Sequence, residues 1–211
     1  GFFPDRTTAL RFAGKLTWQA STTTGLELSV FGDPTTRDAV DPLWSGFTSV
    51  ATPDALLNRR TSGGVIGSLR ATMTPSPSVL LETSVSRQWD RYSFEGATAL
   101  GRSAEVFLDY VAQSIGGGYG WSRHDDQGRA SVMARGTFTL GGHTVVAGAE
   151  YEDALVASEF STTGIGRINR LDTALYFADY QQFSGKGWHN RSPAAYLQDG
   201  WRVTDRFTLN A

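Results

Sequence analysis

One feature constrains this chain more than any other. Apolar and polar residues alternate segment after segment, and short and long connections take turns between the segments. From Thr7 to Ala20 the even positions read Thr8, Leu10, Phe12, Gly14, Leu16, Trp18 and Ala20. The odd positions read Thr7, Ala9, Arg11, Ala13, Lys15, Thr17 and Gln19. Successive side chains of a strand point to opposite faces, so this segment has one apolar face and one that carries charge.

The same parity marks eight strand segments: Thr7–Ala20, Leu26–Asp33, Gly63–Thr74, Val79–Phe94, Arg129–Leu140, His143–Ala157, Ser192–Val203 and Phe207–Ala211. Val65, Gly67, Leu69, Ala71 and Met73 oppose Ile66, Ser68, Arg70, Thr72 and Thr74. Ala130, Val132, Ala134, Gly136, Phe138 and Leu140 oppose Arg129, Ser131, Arg135, Thr137 and Thr139. Four connections are tight: residues 21–25, Pro75-Ser76-Pro77-Ser78, Gly141-Gly142 and Thr204-Asp205-Arg206. Gly supplies positive φ, and Pro fixes φ while ending a ladder. The other three, residues 34–62, 95–128 and 158–191, run to about thirty residues each, and compact soluble domains rarely need three such loops. Within them, Thr52-Pro53-Asp54-Ala55-Leu56-Leu57 predicts a short helix with a Thr N-cap and Pro at its first position. Ser103 to Gln113 reads as a further helix or an extra hairpin.

Tight turns at one end and long loops at the other are the habit of a transmembrane β-barrel, and the composition fits it. No apolar run approaches the roughly 18 residues of a spanning helix, and the mean hydropathy is −0.26. A barrel needs only every second residue to be apolar. Twenty-four glycines and 12% aromatics suit turns, strands and interfacial belts. With 19 basic and 21 acidic residues, the net charge of −2 gives no electrostatic reason to expect nucleic acid. The absence of cysteine removes disulfide frameworks and thiolate metal sites.

The aromatic residues divide into two girdles on the apolar parity. Trp18, Phe138, Trp201 and Phe207 lie within a few residues of a short turn, and Trp89 and Tyr151 lie toward the opposite ends of their strands. Val79 to Trp89 is ten steps, which at about 3.3 Å per residue and a tilt near 40° spans roughly 25 Å of membrane. The polar parity holds Arg11, Lys15, Glu27, Arg70, Glu82, Arg135 and Glu150, both signs recurring at similar heights. In a lumen these residues are expected to form cross-strand pairs and to face whatever fills the barrel. The fold class expected is therefore all-β: an antiparallel, up-and-down transmembrane β-barrel segment.

No catalytic constellation is present. Gly-x-Ser-x-Gly and His-Glu-x-x-His are missing, and Ser184-Gly185-Lys186-Gly187 lacks the glycine and strand of a phosphate loop. The chain is expected to be no enzyme and to hold no cofactor. His124-Asp125-Asp126 is the one dense ligand-like cluster for a metal. Three adjacent residues cannot all point at one ion, so a solvated turn before a strand competes with that reading. Tyr119, Trp121, Tyr180 and Trp188 make the loops aromatic-rich. Such rings either catch a flat or apolar ligand above the pore or pack the loops together.

The last twenty residues carry a resemblance. Ser192 to Ala211 contains Tyr196-x-Gln198-Asp199-x-Trp201, then Thr204-Asp205-Arg206, then Phe207-Thr208-Leu209-Asn210. It resembles a hairpin of TonB-dependent outer-membrane receptors, with Phe207 where Leu is common. Gly142 to Tyr151 and Gly14-Lys15-Leu16-Thr17-Trp18 resemble other strands of that family, most of all its Oar-like branch, whose members carry a carboxypeptidase-regulatory-like domain. The resemblance implies a Gram-negative outer-membrane barrel of about 22 strands closed around a plug. It implies as partners the plug, the TonB complex, and the surrounding outer-membrane lipid and lipopolysaccharide. The activity implied is uptake of a bulky solute. Nothing in the chain resembles the plug or the TonB box, and both ends read as cut, so residues 1–211 are expected to be a partial barrel. Two alternatives stand beside this: a complete eight-stranded passive or structural barrel, and a soluble β-sandwich binding module.

Overall fold

The computed structural model describes residues 5–41, 46–173 and 176–211. In chain order, β1 (Arg6–Ala9) and β2 (Phe12–Gln19) lie on one line, followed by β3 (Thr24–Gly32) and β4 (Thr35–Val40) on a second. The first long connection holds β5 (Ser49–Val50) and a 3-10 turn, Pro53–Ala55, with Thr52 at its N-cap. The third line is β6 (Leu57–Ser62) and β7 (Gly64–Ser76), and β8 (Val79–Gly96) returns from it. The second long connection carries α1 (Ala99–Ser103), β9 (Val106–Asp109) and β10 (Ser114–Gly117). Then come β11 (Trp121–Leu140), β12 (His143–Thr162), β13 (Arg167–Arg170), β14 (Tyr176–Asp179), β15 (Gln182–Thr204) and β16 (Phe207–Asn210).

The eight wall segments pair with their chain neighbours, every pair antiparallel, giving an up-and-down sheet. The first three lines each break at one level, between Ala9 and Phe12, at Asp33–Pro34, and at Gly63. Pro34 has no N–H to donate, and Gly63 takes φ +91°, where a Cβ would meet the Asp33 carbonyl at 2.5 Å. Register survives the breaks: Gly32 faces Val65 below and Thr35 faces Ser62 above. Among the described residues β1 and β2 do not pair with β15 or β16, so the sheet stays open, with edges at its first and last strands.

The strands are longer than the alternation predicts, by one or two residues at some short turns and by much more toward the long connections. The second runs on to Val40, the third begins at Leu57, β11 begins at Trp121, β12 continues to Thr162 and β15 begins at Gln182. Beyond the apolar band both faces are polar or mixed, so the two-residue signal fades while the main-chain ladder continues. The predicted short helix is a single 3-10 turn, and the Thr52 side chain makes no capping bond to it; its Oγ1 accepts from the Gly117 N–H at 3.0 Å. The Ser103–Gln113 stretch follows α1 and makes the hairpin of β9 and β10, with Gln113 at φ +51° in its turn.

The long connections build a second sheet that the sequence did not announce. Its order is β14-β13-β9-β10-β5, with β13 parallel to β9 and β10 parallel to β5. Phe47, Ala55, Leu56, Val106, Leu108 and Ile115 form its core, and Ile115 has no exposed surface. Along the wall, by contrast, the apolar face is open: Leu16 is 65% exposed and Leu197 72%. No second layer covers that face among the described residues, so the buried core of a sandwich is missing where a sandwich would need it.

The register fixes how steeply the strands run. From Trp18 the ladder passes through Leu26, Ala71, Thr83, Ala134 and Ala149 to Ala195, six strands across. Trp201, the girdle residue of that strand, lies six positions further on (201 − 195). At about 3.3 Å per residue that is roughly 20 Å along the strand, against roughly 29 Å across six spacings of about 4.8 Å. If Trp18 and Trp201 stand at one height, the strands are inclined by roughly 35°, within the range that closure into a barrel demands.

Candidate functional site

The polar face of the wall is the first part of the site. One row crosses seven strands: Lys15, Ser29, Ser68, Ser86, Ser131, Glu152 and Ser192. Within it the Ser29 and Ser68 hydroxyls lie 2.7 Å apart, as do those of Ser86 and Ser131. The four hydroxyls satisfy one another in these two pairs and keep lone pairs for whatever lies above the sheet. Charges flank this belt. Lys15 pairs with Glu27 at 2.8 Å, and Glu82 sits between Arg70 at 2.5 Å and Arg135 at 3.4 Å. Arg11 lies in the break between β1 and β2, and Glu150 is exposed on the same face. Arg11 and Glu150 are not brought into an ion pair among the described residues.

The apolar face carries the six aromatic residues expected to form girdles. Trp18, Trp89, Phe138, Tyr151, Trp201 and Phe207 all share it by cross-strand register. His143 stands at its short-turn rim, stacked on Trp201 at 5.4 Å, with Nδ1 2.7 Å from an Asp199 oxygen.

Toward the long connections the polar face turns aromatic. Phe94 is buried; Trp121 stacks on it at 4.4 Å, Tyr119 meets it edge-on at 5.3 Å, and the Arg60 guanidinium lies 4.7 Å over its ring. Phe160 continues the cluster, 5.6 Å from Trp121, and Phe183 lies opposite Phe160 on β15. Tyr119 is buried and its hydroxyl donates to Asp41, which also accepts from Arg60 at 3.1 Å. Burial first, then the Asp41 carboxylate, pushes the Tyr119 phenol above its ordinary range. Of the four ring residues singled out in the sequence, Tyr119 and Trp121 therefore pack the rim. Tyr180 and Trp188 stand open, Trp188 at 64% exposure, and Phe183 joins them at 51%. Trp121 and Trp188 belong to strands rather than loops.

The loop sheet is held by a carboxylate. Asp109 accepts from the Val111 and Ala112 N–H groups at 3.0 and 2.8 Å and from Arg170 at 2.9 Å. The bond from Ala112, with the Arg170 guanidinium, holds its pKa below the usual carboxylate range. His124, Asp125 and Asp126 lie on β11, not in a turn, so Asp125 points away from the other two. Asp125 accepts from Ser158 at 2.5 Å and pairs with Arg123, and Asp126 pairs with Arg91 at 2.9 Å. Strand geometry thus splits the cluster, and arginines occupy its carboxylates; no group of three metal-ligating side chains converges among the described residues. The serine row and the Phe94 cluster escaped the sequence reading because both depend on register between distant strands.

No protein-family model and no curated protein matches this sequence. Among solved structures, the outer membrane transporter YddB from Escherichia coli is similar at a TM-score of 0.49 and 15% identity, over 92% of this chain. The chain spans 25% of that protein's length.

Proposed function

We propose that this chain is wall and external rim of a TonB-dependent outer-membrane receptor of the Oar-like branch, which carries a bulky solute into a Gram-negative cell. The observation that carries the reading is the sheet itself. One face is apolar and uncovered, with aromatic rings toward both ends of its strands; the other bears hydroxyls and paired charges. The eight strands form an open sheet, which favours part of a larger barrel over a complete small one. The Ser192–Ala211 hairpin supplies the resemblance to the family.

The geometry supports a division of labour within this reading. Tyr180, Phe183 and Trp188 offer rings at the rim, where capture begins. Below them the serine row and the Arg70–Glu82–Arg135 cluster line the polar face, a surface that exchanges hydrogen bonds with a plug or a passing solute without a strong net field. Coupling to TonB and movement of the plug belong to parts of the receptor outside this chain.

Residues 1–211 hold no cysteine, so a thiol introduced among them is read against the unsubstituted full-length product as background. In cells producing the full-length gene product, Tyr180→Cys is expected to react with a membrane-impermeant maleimide on intact cells. Asp205→Cys, in the short turn, is expected to react only after the outer membrane is permeabilised. Equal labelling of both on intact cells, or recovery of the product in the soluble fraction, would overturn the membrane reading. Solute uptake that survives collapse of the proton gradient would overturn the energised mechanism.

A further inference from the structure

We infer that the apolar face carries a binding site for a phosphate-bearing lipid, set at the long-connection end of the wall; the inference rests on the proposed membrane reading. A hollow of about 580 Å³ opens there, where the first three strand lines break. Val65, Trp89 and Leu155 form its apolar floor, and Arg87 and Arg91 stand at its side. Trp89, Gly128 and Leu155 lie on one ladder row of the apolar face, and Arg91 is one row above.

Arg87 is the unusual member. It lies on the apolar face, its guanidinium 5.1 Å over the Trp89 ring, and it has no carboxylate partner among the described residues. Its Nη2 lies over Gly128, where a Cβ would sit 3.6 Å away in ordinary van der Waals contact. Arg91 pairs with Asp126 on one side and is still 70% exposed, so part of its donor fork is open. Asp90, which also borders the hollow, belongs to the polar face. Asp153, one row below on β12, is taken by His189 at 2.8 Å and Arg191 at 3.6 Å.

An unpaired guanidinium beside an apolar trough at the height of an aromatic girdle matches an amphiphile with the same layout. Acyl chain lies on Val65 and Leu155, and phosphate oxygens accept from Arg87 and from the open side of Arg91. A guanidinium reaching along its stem from the apolar band toward the headgroup level is the geometry of snorkelling, which leaves the charge available to a headgroup.

The test uses the full-length protein in phosphatidylcholine vesicles containing spin-labelled phosphatidic acid, with brominated phosphatidylcholine as a separate quencher of tryptophan fluorescence. Phosphatidic acid is expected to be preferred over phosphatidylcholine. At about fivefold per surface arginine, Arg87→Gln with Arg91→Gln is expected to lower that preference by at least about tenfold. Arg206→Gln, on the opposite rim, is expected to leave it intact, and brominated lipid is expected to quench wild type and variants alike. A preference unchanged by the double substitution, with quenching intact, overturns the site and leaves the membrane wall standing. Displacement of the labelled lipid by millimolar inorganic phosphate overturns the lipid as occupant. Absence of quenching overturns both readings.

Discussion

An arginine placed at Ala134 measures directly whether the open apolar face lies in hydrocarbon. Ala134 shares that face with Phe138, four residues nearer the short turn, and with Ala130, four residues nearer the rim. At about 3.3 Å per residue and an inclination of roughly 35–40°, Ala134 stands roughly 10 Å above the lower girdle, inside a band about 25 Å tall. Near that depth Ala134→Arg is expected to cost about 2–4 kcal/mol, a shift in the folding equilibrium of roughly 30- to 800-fold. Ala130→Arg, nearer the rim, is expected to cost about 0–1 kcal/mol. Met133→Arg points to the polar face, opposite Ser84 and Glu150, and is expected to cost less than Ala134→Arg despite standing at the same depth. The assay is reversible guanidinium unfolding of the full-length protein in phosphatidylcholine vesicles, followed by tryptophan emission. Equal costs at 133 and 134, or a cost at 130 matching that at 134, would refute the assignment of faces and with it the membrane reading.

Two further outcomes concern the loop sheet. Ile115→Ala removes a fully buried side chain from its core and is expected to cost about 2–5 kcal/mol locally, seen as faster hydrogen exchange in β9, β10 and β13 with the wall unchanged. Slowed or unaltered exchange there would mean that the loop sheet does not depend on the core shared by the first two connections. Asp109, whose pKa is depressed, contributes stability that is present above its unfolded value near 3.9 and is lost as pH falls through the lower folded value. Exchange protection around Val111 and Ala112 is therefore expected to hold at pH 5 and to vanish only below about pH 4, and Asp109→Asn is expected to abolish that pH dependence. Loss of protection near neutral pH would assign the effect to another group.

The wall was legible because each strand repeats one rule every two residues, and Trp18, Trp89 and Trp201 mark where the band stops. Its ends were not, since Trp121–Gly128 and Gln182–Arg191 pair by main chain where neither face is uniformly apolar. The charges of the polar face could be named individually, but the clamp of Glu82 between Arg70 and Arg135 needed three strands in register. The loop sheet left almost no trace. Its strands are two to four residues long, and two of its pairings are parallel, between segments far apart in the chain. Local periodicity cannot report a ladder made of such pieces.

That second sheet changes what movement at the rim can be. The first long connection is tied to the second where the Ala51 N–H donates to the Ile115 carbonyl at 2.7 Å. The second is tied to the third where the Tyr110 N–H donates to the Arg170 carbonyl at 3.0 Å. No one of the three can swing aside alone without breaking main-chain bonds to its neighbour. Any movement there is therefore a joint event: the three connections travel as one plate hinged on the strand ends, or they stay where they are.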